Sequence, residues 1–279
     1  CMVSTPSFDP NNPPDLTNPA YEGVFINRAL GATYTPGSIF KLITLSAAIE
    51  NIPDLYTRTF TCAGSVQVGG DTVHCTGVHG QQTIEQALAN SCNSAFSEIS
   101  QELGADKIYE YAEKFGFCKS LTISGVETAA GSIDKADAGT SNLSWMGIGQ
   151  YNDLISPIAM LRFVSAIAND GTAKGPVLLK GAYAGSTRLL ETETAEKIQE
   201  FMSYNVAYAY GQWQFPNLDI CAKTGTAEVG DGTSHAWFVG FLKDEENPLA
   251  FTVIIENGGG GLANAGPVAN AVLQAAVAK

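Results

Sequence analysis

Residues 34–41 read Tyr-Thr-Pro-Gly-Ser-Ile-Phe-Lys, and this stretch decides how the rest of the chain is interpreted. Apolar residues follow it with helical spacing to about residue 51, and Pro-Gly-Ser is typical of a helix start. Ser38 and Lys41 are three residues apart, so a helix would bring their side chains together on one face. A serine hydroxyl is a poor nucleophile unless a base lies beside it. The pattern predicts a lysine-activated serine, with a solvated Ser and Lys on an ordinary helix as the alternative.

A second motif, Ser91-Cys92-Asn93, lies between a predicted helix that begins at Thr83 and another that begins near Ser94. A break between helices lets both polar side chains project into a cleft. Helix capping is the alternative role, because Ser and Asn are favoured at helix starts. Cys92 is interpreted as a small buried residue, since no histidine is placed to activate it as a nucleophile.

A third motif, Lys223-Thr224-Gly225-Thr226, is predicted to end a strand. A glycine at that position lets a ligand approach the backbone closely. An ammonium group and two hydroxyls can hold a carboxylate through charge-assisted hydrogen bonds. Lys223 is also the candidate second cation which, together with burial, would lower the pKa of Lys41. An exposed strand end with a flexible lysine is the alternative.

In this order, the three motifs resemble the active-site set of the penicillin-recognising serine enzymes. The whole chain is similar to the transpeptidase domain of bacterial penicillin-binding proteins, and looks most like those of Gram-positive bacteria. Further similarity lies at residues 4–11, 27–29, 147–150 and 235–240. The resemblance implies that residues 1–279 are one transpeptidase domain, which we expect to be a fragment of a longer, membrane-anchored protein.

The resemblance also implies roles for the motif residues. Ser38 would be the nucleophile, and Lys41 would accept its proton. Ser91 would relay a proton between the lysine and the leaving amine. Asn93 would orient Lys41 and bind the acyl amide of the substrate.

The remaining motif would bind the substrate. Lys223, Thr224 and Thr226 would hold its carboxylate, with Gly225 between the two threonines. The backbone N–H groups of Ser38 and Thr226 would form the oxyanion hole, whose donors are typically worth roughly 3 kcal/mol each in the transition state.

The implied activity is that of a serine D,D-transpeptidase that cross-links peptidoglycan stem peptides and is acylated by β-lactams. Two enzymes of the same fold are alternatives, a β-lactamase and a D,D-carboxypeptidase. A β-lactamase needs a way to activate water, and Glu127 lies in a different context from that family's glutamate loop. A non-catalytic β-lactam sensor is the alternative from another class. No cofactor is required for this chemistry.

The fold class predicted from the sequence is α+β. Helical patterns dominate the middle of the chain, and strand-like runs fill the last third at residues 218–222, 236–242 and 249–256. The last two runs should pair as a hairpin. We expect one antiparallel sheet with helices on its faces, to which the first few residues could add a strand. Residues 119–154 are predicted to be rich in loops. The resemblance implies the fold of penicillin-binding transpeptidases and serine β-lactamases.

The charge and hydropathy of the chain limit which kinds of partner it can bind. The net charge of −13 disfavours nucleic acid and anionic membrane surfaces, because both would repel the chain. No run of apolar residues is long enough to cross a bilayer. The resemblance implies action at the extracytoplasmic face of the bacterial membrane, beside cell-wall synthesis proteins, with any membrane anchor outside this sequence.

Cysteines 62 and 75 flank a glycine-rich segment that is expected to fold back as a hairpin and bring them together. An extracytoplasmic location permits a disulfide between them. Zinc is the alternative, with Cys62, Cys75, His79 and Asp71 as candidate ligands. A disulfide or free thiols suit the spacing better, because it matches no standard zinc motif.

Overall fold

The computed structural model describes residues 1–15 and 17–278. Its α-helices, in chain order, are α1 (Arg28–Gly31), α2 (Lys41–Asn51), α3 (Ile84–Ala89), α4 (Asn93–Phe115), α5 (Ser141–Ile148), α6 (Pro157–Ala168), α7 (Thr192–Asn205) and α8 (Gly266–Val277). A 3-10 turn over Gly37–Ile39 precedes α2, and π-helical turns over Val206–Tyr210 and Gly261–Ala265 follow α7 and precede α8.

The strands form one three-stranded antiparallel sheet and four two-stranded ribbons. The ribbons are β1 (Phe60–Cys62) with β4 (Gly80–Gln82), β2 (Ser65–Val68) with β3 (Asp71–His74), β5 (Thr122–Ile123) with β6 (Val126–Glu127), and β7 (Thr172–Lys174) with β8 (Ser186–Arg188). The larger sheet has the order β11-β10-β9 and comprises β9 (Ile220–Glu228), β10 (Ser234–Leu242) and β11 (Ala250–Ile255).

The central strand β10 is buried on both faces. Trp237 and Val239 pack into the larger hydrophobic core, which also contains the buried residues of α2, α4 and α6. Ala236 and Phe238 alternate with them and pack into a smaller core that includes α8. Because neighbouring side chains of a strand point to opposite faces, helices must cover both sides of this sheet. The buried sheet gives the site a rigid wall.

The structure confirms the predicted α+β class and most of the predicted helices and strands. The predicted hairpin forms, with Ala236 opposite Ile255 in the β10–β11 pair. Thr83 and Gln86 form a reciprocal capping box at the start of α3. Helix α4 is kinked at Gly104, whose φ is +77°.

Three expectations were wrong, and the expectation of a loop-rich segment at residues 119–154 was incomplete, because it missed one helix. Residues 1–15 add no strand, and contribute only an isolated bridge between Asp9 and Asn12. The predicted single sheet is accompanied by four small ribbons. Helix α5 lies inside the segment predicted to be loop-rich. The third motif lies within β9, where Gly225 is opposite Trp237, and not at the end of a strand. The described residues contain no helix that is long and apolar enough to span a membrane.

Candidate active site

Ser38 lies in the 3-10 turn that leads into α2, and is half-buried. The turn is fixed from two sides. The N–H of Gly37 donates to the carbonyl of Gly149 at 2.8 Å, just after α5. On the other side, a Cβ on Gly37 would lie 2.7 Å from the carbonyl oxygen of Thr226. Gly37 also has a φ of +55°, so a glycine is required there for both conformation and space.

Lys41 is fully buried, and its ammonium nitrogen is the centre of the site. Its Nζ lies 3.0 Å from Ser38 Oγ, 2.7 Å from the carbonyl oxygen of Ser91 and 2.7 Å from Asn93 Oδ1. Ser91 Oγ lies slightly further away, at 3.2 Å. Burial lowers the pKa of Lys41 from the usual 10.5 to about 7, although the Cys75 and Cys92 thiols oppose that shift.

Ser91 and Asn93 occupy the break between α3 and α4, as predicted. Ser91 adopts a left-handed backbone with φ of +52°, which turns its carbonyl and hydroxyl toward the lysines. Asn93 begins α4, and its Nδ2 donates to the carbonyl of His74 at 2.9 Å. Neither side chain caps a helix; the N-cap of α4 is Cys92, which makes no side-chain capping bond. The capping alternative for the Ser91 and Asn93 side chains was therefore wrong.

Lys223 is also fully buried and approaches the site from β9. Its Nζ donates to Ser91 Oγ at 3.0 Å and to the carbonyl of Thr224 at 2.9 Å. Burial holds the pKa of Lys223 well below its usual value, and the charge of Lys41 lowers it further. Ser91 Oγ thus lies between two buried lysines, in the position needed to pass a proton from one to the other.

Gly225 is needed for packing within the protein, a role that the sequence pattern did not indicate. A Cβ there would lie 2.9 Å from the carbonyl oxygen of Pro36 and 3.0 Å from Ile39 Cγ2. The glycine lets β9 approach the turn that carries Ser38. This approach brings Thr226 beside Gly37, which is the proximity that an oxyanion hole from the N–H groups of Ser38 and Thr226 requires.

Tyr210 was missed at the sequence level. It is buried in the π-helical turn after α7, and its hydroxyl accepts a hydrogen bond from the N–H of Thr224 at 3.1 Å. Its hydroxyl also lies 3.3 Å from Thr224 Oγ1. Tyr210 therefore positions one of the predicted carboxylate-binding threonines. No local motif marks this residue, because its contact with β9 depends on how α7 packs.

A second group of side chains lies directly behind the second motif. Cys62, Cys75, His79 and Cys92 have their sulfur and imidazole nitrogen atoms all within 4.8 Å of one another. We refer to these four residues as the Cys/His cluster. Cys62 and Cys92 are buried, and the other two are half-buried. The structure confirms that Cys62 and Cys75 are neighbours, but Cys92, which was interpreted as a simple core residue, also belongs to this cluster.

The Cys/His cluster differs from the predicted ligand set in one member. Asp71 accepts a hydrogen bond from Ser141 Oγ at 2.8 Å and does not belong to the cluster. All six cysteines are free thiols in the structure, so of the two favoured alternatives for Cys62 and Cys75, a disulfide or free thiols, the disulfide is not formed. A hydrogen bond between the Cys75 and Cys92 thiols, whose sulfur atoms are 3.8 Å apart, holds the pKa of Cys75 well below its usual value.

Comparison with known proteins agrees with the motif geometry. The profile of the family described as penicillin binding protein transpeptidase domain matches residues 1–274. Peptidoglycan D,D-transpeptidase PbpA of Mycobacterium tuberculosis is 29% identical over 318 residues, which cover 99% of this chain and 64% of that protein. Stage V sporulation protein D of Bacillus subtilis is 30% identical over 292 residues, which cover 96% of this chain and 45% of that protein. The chain thus spans less than two thirds of these relatives.

Solved structures show the same fold. The ceftriaxone acyl-enzyme complex of penicillin-binding protein A from M. tuberculosis superimposes with a TM-score of 0.88 at 28% identity, and the match covers 99% of this chain and 70% of that one. The penicillin G acyl-enzyme complex of the same protein gives a TM-score of 0.85 at 26% identity, with coverage of 98% and 71%.

Proposed function

This chain belongs to the penicillin-binding protein transpeptidase domain family, and from that premise we propose that it is a serine D,D-transpeptidase. Its substrates are peptidoglycan stem peptides, and its acyl-enzyme forms on Ser38. The relatives named as peptidoglycan D,D-transpeptidases and the β-lactam acyl-enzymes of a structural neighbour support this proposal. The place of action is the extracytoplasmic face of the membrane, where peptidoglycan and the other cell-wall synthesis proteins are found.

The contacts of Lys41 carry the proposal. A neutral amine has two N–H bonds and one lone pair. The two shortest contacts of Nζ, both 2.7 Å, are with pure acceptors, the Ser91 carbonyl and Asn93 Oδ1. These acceptors take the two N–H bonds and leave the lone pair for the Ser38 hydroxyl at 3.0 Å. Lys41 is therefore oriented to remove a proton from Ser38 once it is neutral.

Acylation follows from this arrangement. Ser38 Oγ bonds to the penultimate D-Ala carbonyl carbon while its proton moves to Lys41. The C–N bond to the terminal D-Ala then breaks, and the departing nitrogen takes a proton through Ser91 Oγ, which lies between Lys41 and Lys223. The N–H groups of Ser38 and Thr226 hold the developing oxyanion.

Substrate orientation is assigned to β9. Lys223, Thr224 and Thr226 bind the terminal carboxylate, and Tyr210 fixes Thr224. An amine of a second stem peptide then attacks the acyl ester. The attacking amine gives up one proton to Lys41 as the new amide bond forms. The ester bond to Ser38 then breaks, and the serine oxygen takes that proton from Lys41.

The proposal is tested with a peptide that ends in D-Ala-D-Ala, in the presence and absence of an amine acceptor. We expect release of D-Ala with formation of the amide product when the acceptor is present, and neither product with Ser38→Ala. Equal turnover to free acid without any acceptor would instead identify a D,D-carboxypeptidase. Rapid catalytic loss of penicillin would identify a β-lactamase, and acylation by penicillin with no peptide turnover would identify a sensor.

A further inference from the structure

The Cys/His cluster is assembled from four separate places in the chain. Cys62 ends β1, Cys75 follows β3, His79 lies just before β4, and Cys92 immediately precedes α4. Three thiols and an imidazole therefore converge between the small ribbons and the start of a helix that carries active-site residues. Such a combination of soft ligands is the one that zinc prefers in structural sites.

Two distances within the cluster match the edges of a metal tetrahedron, and all its ligand atoms lie within 4.8 Å of one another. Zinc bonds of about 2.3 Å to sulfur and about 2.0 Å to nitrogen give tetrahedral edges of about 3.8 Å for S···S and about 3.5 Å for S···N. The sulfur atoms of Cys75 and Cys92 are 3.8 Å apart, and the Cys75 sulfur is 3.6 Å from His79 Nδ1. We propose that Cys62, Cys75, His79 and Cys92 bind one zinc ion in a closed Cys₃His site.

The surroundings suit thiolate ligands. The backbone N–H of Asn93 donates to the Cys75 sulfur at 3.2 Å, which is the kind of outer-shell contact that stabilises a metal-bound thiolate. Cys92 stands at the N-terminus of α4, where the helix dipole favours negative charge. Zinc binding replaces the thiol protons with metal–sulfur bonds, so up to three protons are released.

The site would position the second motif, and this part of the inference depends on the proposed function. Cys92 lies between Ser91 and Asn93, so a metal bond to Cys92 ties the motif to the ribbons β1–β4. Asn93 has a second link to the same region, because its Nδ2 donates to the carbonyl of His74. The zinc ion would thus act as a positioning element behind the residues that hold Lys41.

Metal analysis tests the site directly. The full chain is purified under reducing conditions without chelator, and its zinc is measured by elemental analysis. We expect about one zinc ion per chain. Replacement of that zinc by Co²⁺ should give the visible and sulfur charge-transfer absorption of tetrahedral thiolate coordination. Cys62→Ser should lose most of the bound metal, whereas the matched control Cys118→Ser should keep it.

Several outcomes would overturn the site. The first is wild-type protein that contains no zinc, with its thiols either free or joined in a disulfide. The second is a Co²⁺ spectrum without sulfur charge transfer. The third is equal metal loss from Cys62→Ser and Cys118→Ser. If Cys62→Ser does not fold, chelation of the folded wild type and the Co²⁺ spectrum still decide the matter.

The positioning role has its own readout. Zinc removal from protein that remains folded should slow penicillin acylation by about tenfold, and added zinc should restore the rate. Full acylation by metal-free protein would contradict the positioning role. Protein that holds zinc but is never acylated would instead refute the proposed function and leave the metal site intact.

Discussion

The catalytic pocket and the Cys/His cluster meet at residues 91–93, and they organise their polar groups in opposite ways. In the pocket, two fully buried lysines are held by the hydrogen bonds that they donate within the chain, chiefly to Ser91 and Asn93. In the cluster, sulfur and imidazole atoms face one another at the spacing of metal ligands. The chain alone thus preorganises the pocket, whereas the cluster has the arrangement of a site that we propose an ion completes.

The largest effect should come from Lys41→Arg. A guanidinium group keeps the positive charge but cannot accept the Ser38 proton. We expect the rate of penicillin acylation to fall about 10²–10⁴-fold, with the zinc content unchanged. Intact-mass kinetics measures the rate, and Lys197→Arg, at a partly exposed position of α7, is the matched control. If Lys41→Arg keeps more than a few per cent of the rate, the base lies elsewhere.

The pH dependence of the acylation rate should distinguish the buried Lys41 from an ordinary surface lysine. Only neutral Lys41 has a lone pair, and its pKa is lowered to about 7 by burial. Below that pH, we expect the acylation rate to rise about tenfold per pH unit, and above it to level off. The titratable groups that face Lys41 are Lys223 of β9 and the Cys75 and Cys92 thiols. A rate that rises steadily from about pH 8 to about pH 10 would indicate an unperturbed lysine.

Recognition of the substrate carboxylate should depend on the pocket alone. Hydrogen bonds to a charged group contribute about 1.5–3 kcal/mol, so amidation of the terminal carboxylate should lower kcat/KM by about 10–100-fold. The test compares the acid and amide forms of one peptide with the same zinc-loaded protein. Equal rates for the two forms would show that Lys223, Thr224 and Thr226 do not bind the carboxylate.

The smallest effect is expected from Gly225→Ala. The added methyl group would collide with Pro36 and Ile39, and such overpacking costs about 1–3 kcal/mol of stability. Urea unfolding measures this change against Gly230→Ala, where an added Cβ meets nothing within 4 Å. The cluster lies outside this contact, so zinc content should not change. Equal stabilities of the two variants would show that β9 can move away from the turn before α2.

The pocket could be predicted well from sequence, because much of it depends on local spacing. Ser38 and Lys41 are one helical turn apart, and Ser91 and Asn93 lie at a helix break that turn and capping patterns reveal. The helices and the β10–β11 hairpin were predicted for the same reason. Helix α5 was missed, and the segment that contains it was interpreted as loop-rich.

The contacts that depend on tertiary packing were less predictable. Nothing near Cys92 in sequence shows that β1 and the loop after β3 place two more thiols beside it. Gly225 and Tyr210 are similar cases, since their partners Pro36 and Thr224 lie on other elements. Asp71 is close to Cys75 in sequence, but it lies on β3, where its carboxylate accepts a hydrogen bond from Ser141 of α5. Sequence proximity therefore placed Asp71 in the candidate ligand set, where the structure has Cys92.

The most direct test of the central claim is the position of the β-lactam adduct. Wild-type protein is incubated with penicillin, and the modified residue is identified by peptide mapping, beside Ser38→Ala under the same conditions. We predict a single adduct on Ser38 in the wild type and none in Ser38→Ala. An adduct on Ser91 or Cys92, or a Ser38→Ala protein that is still acylated, would contradict it.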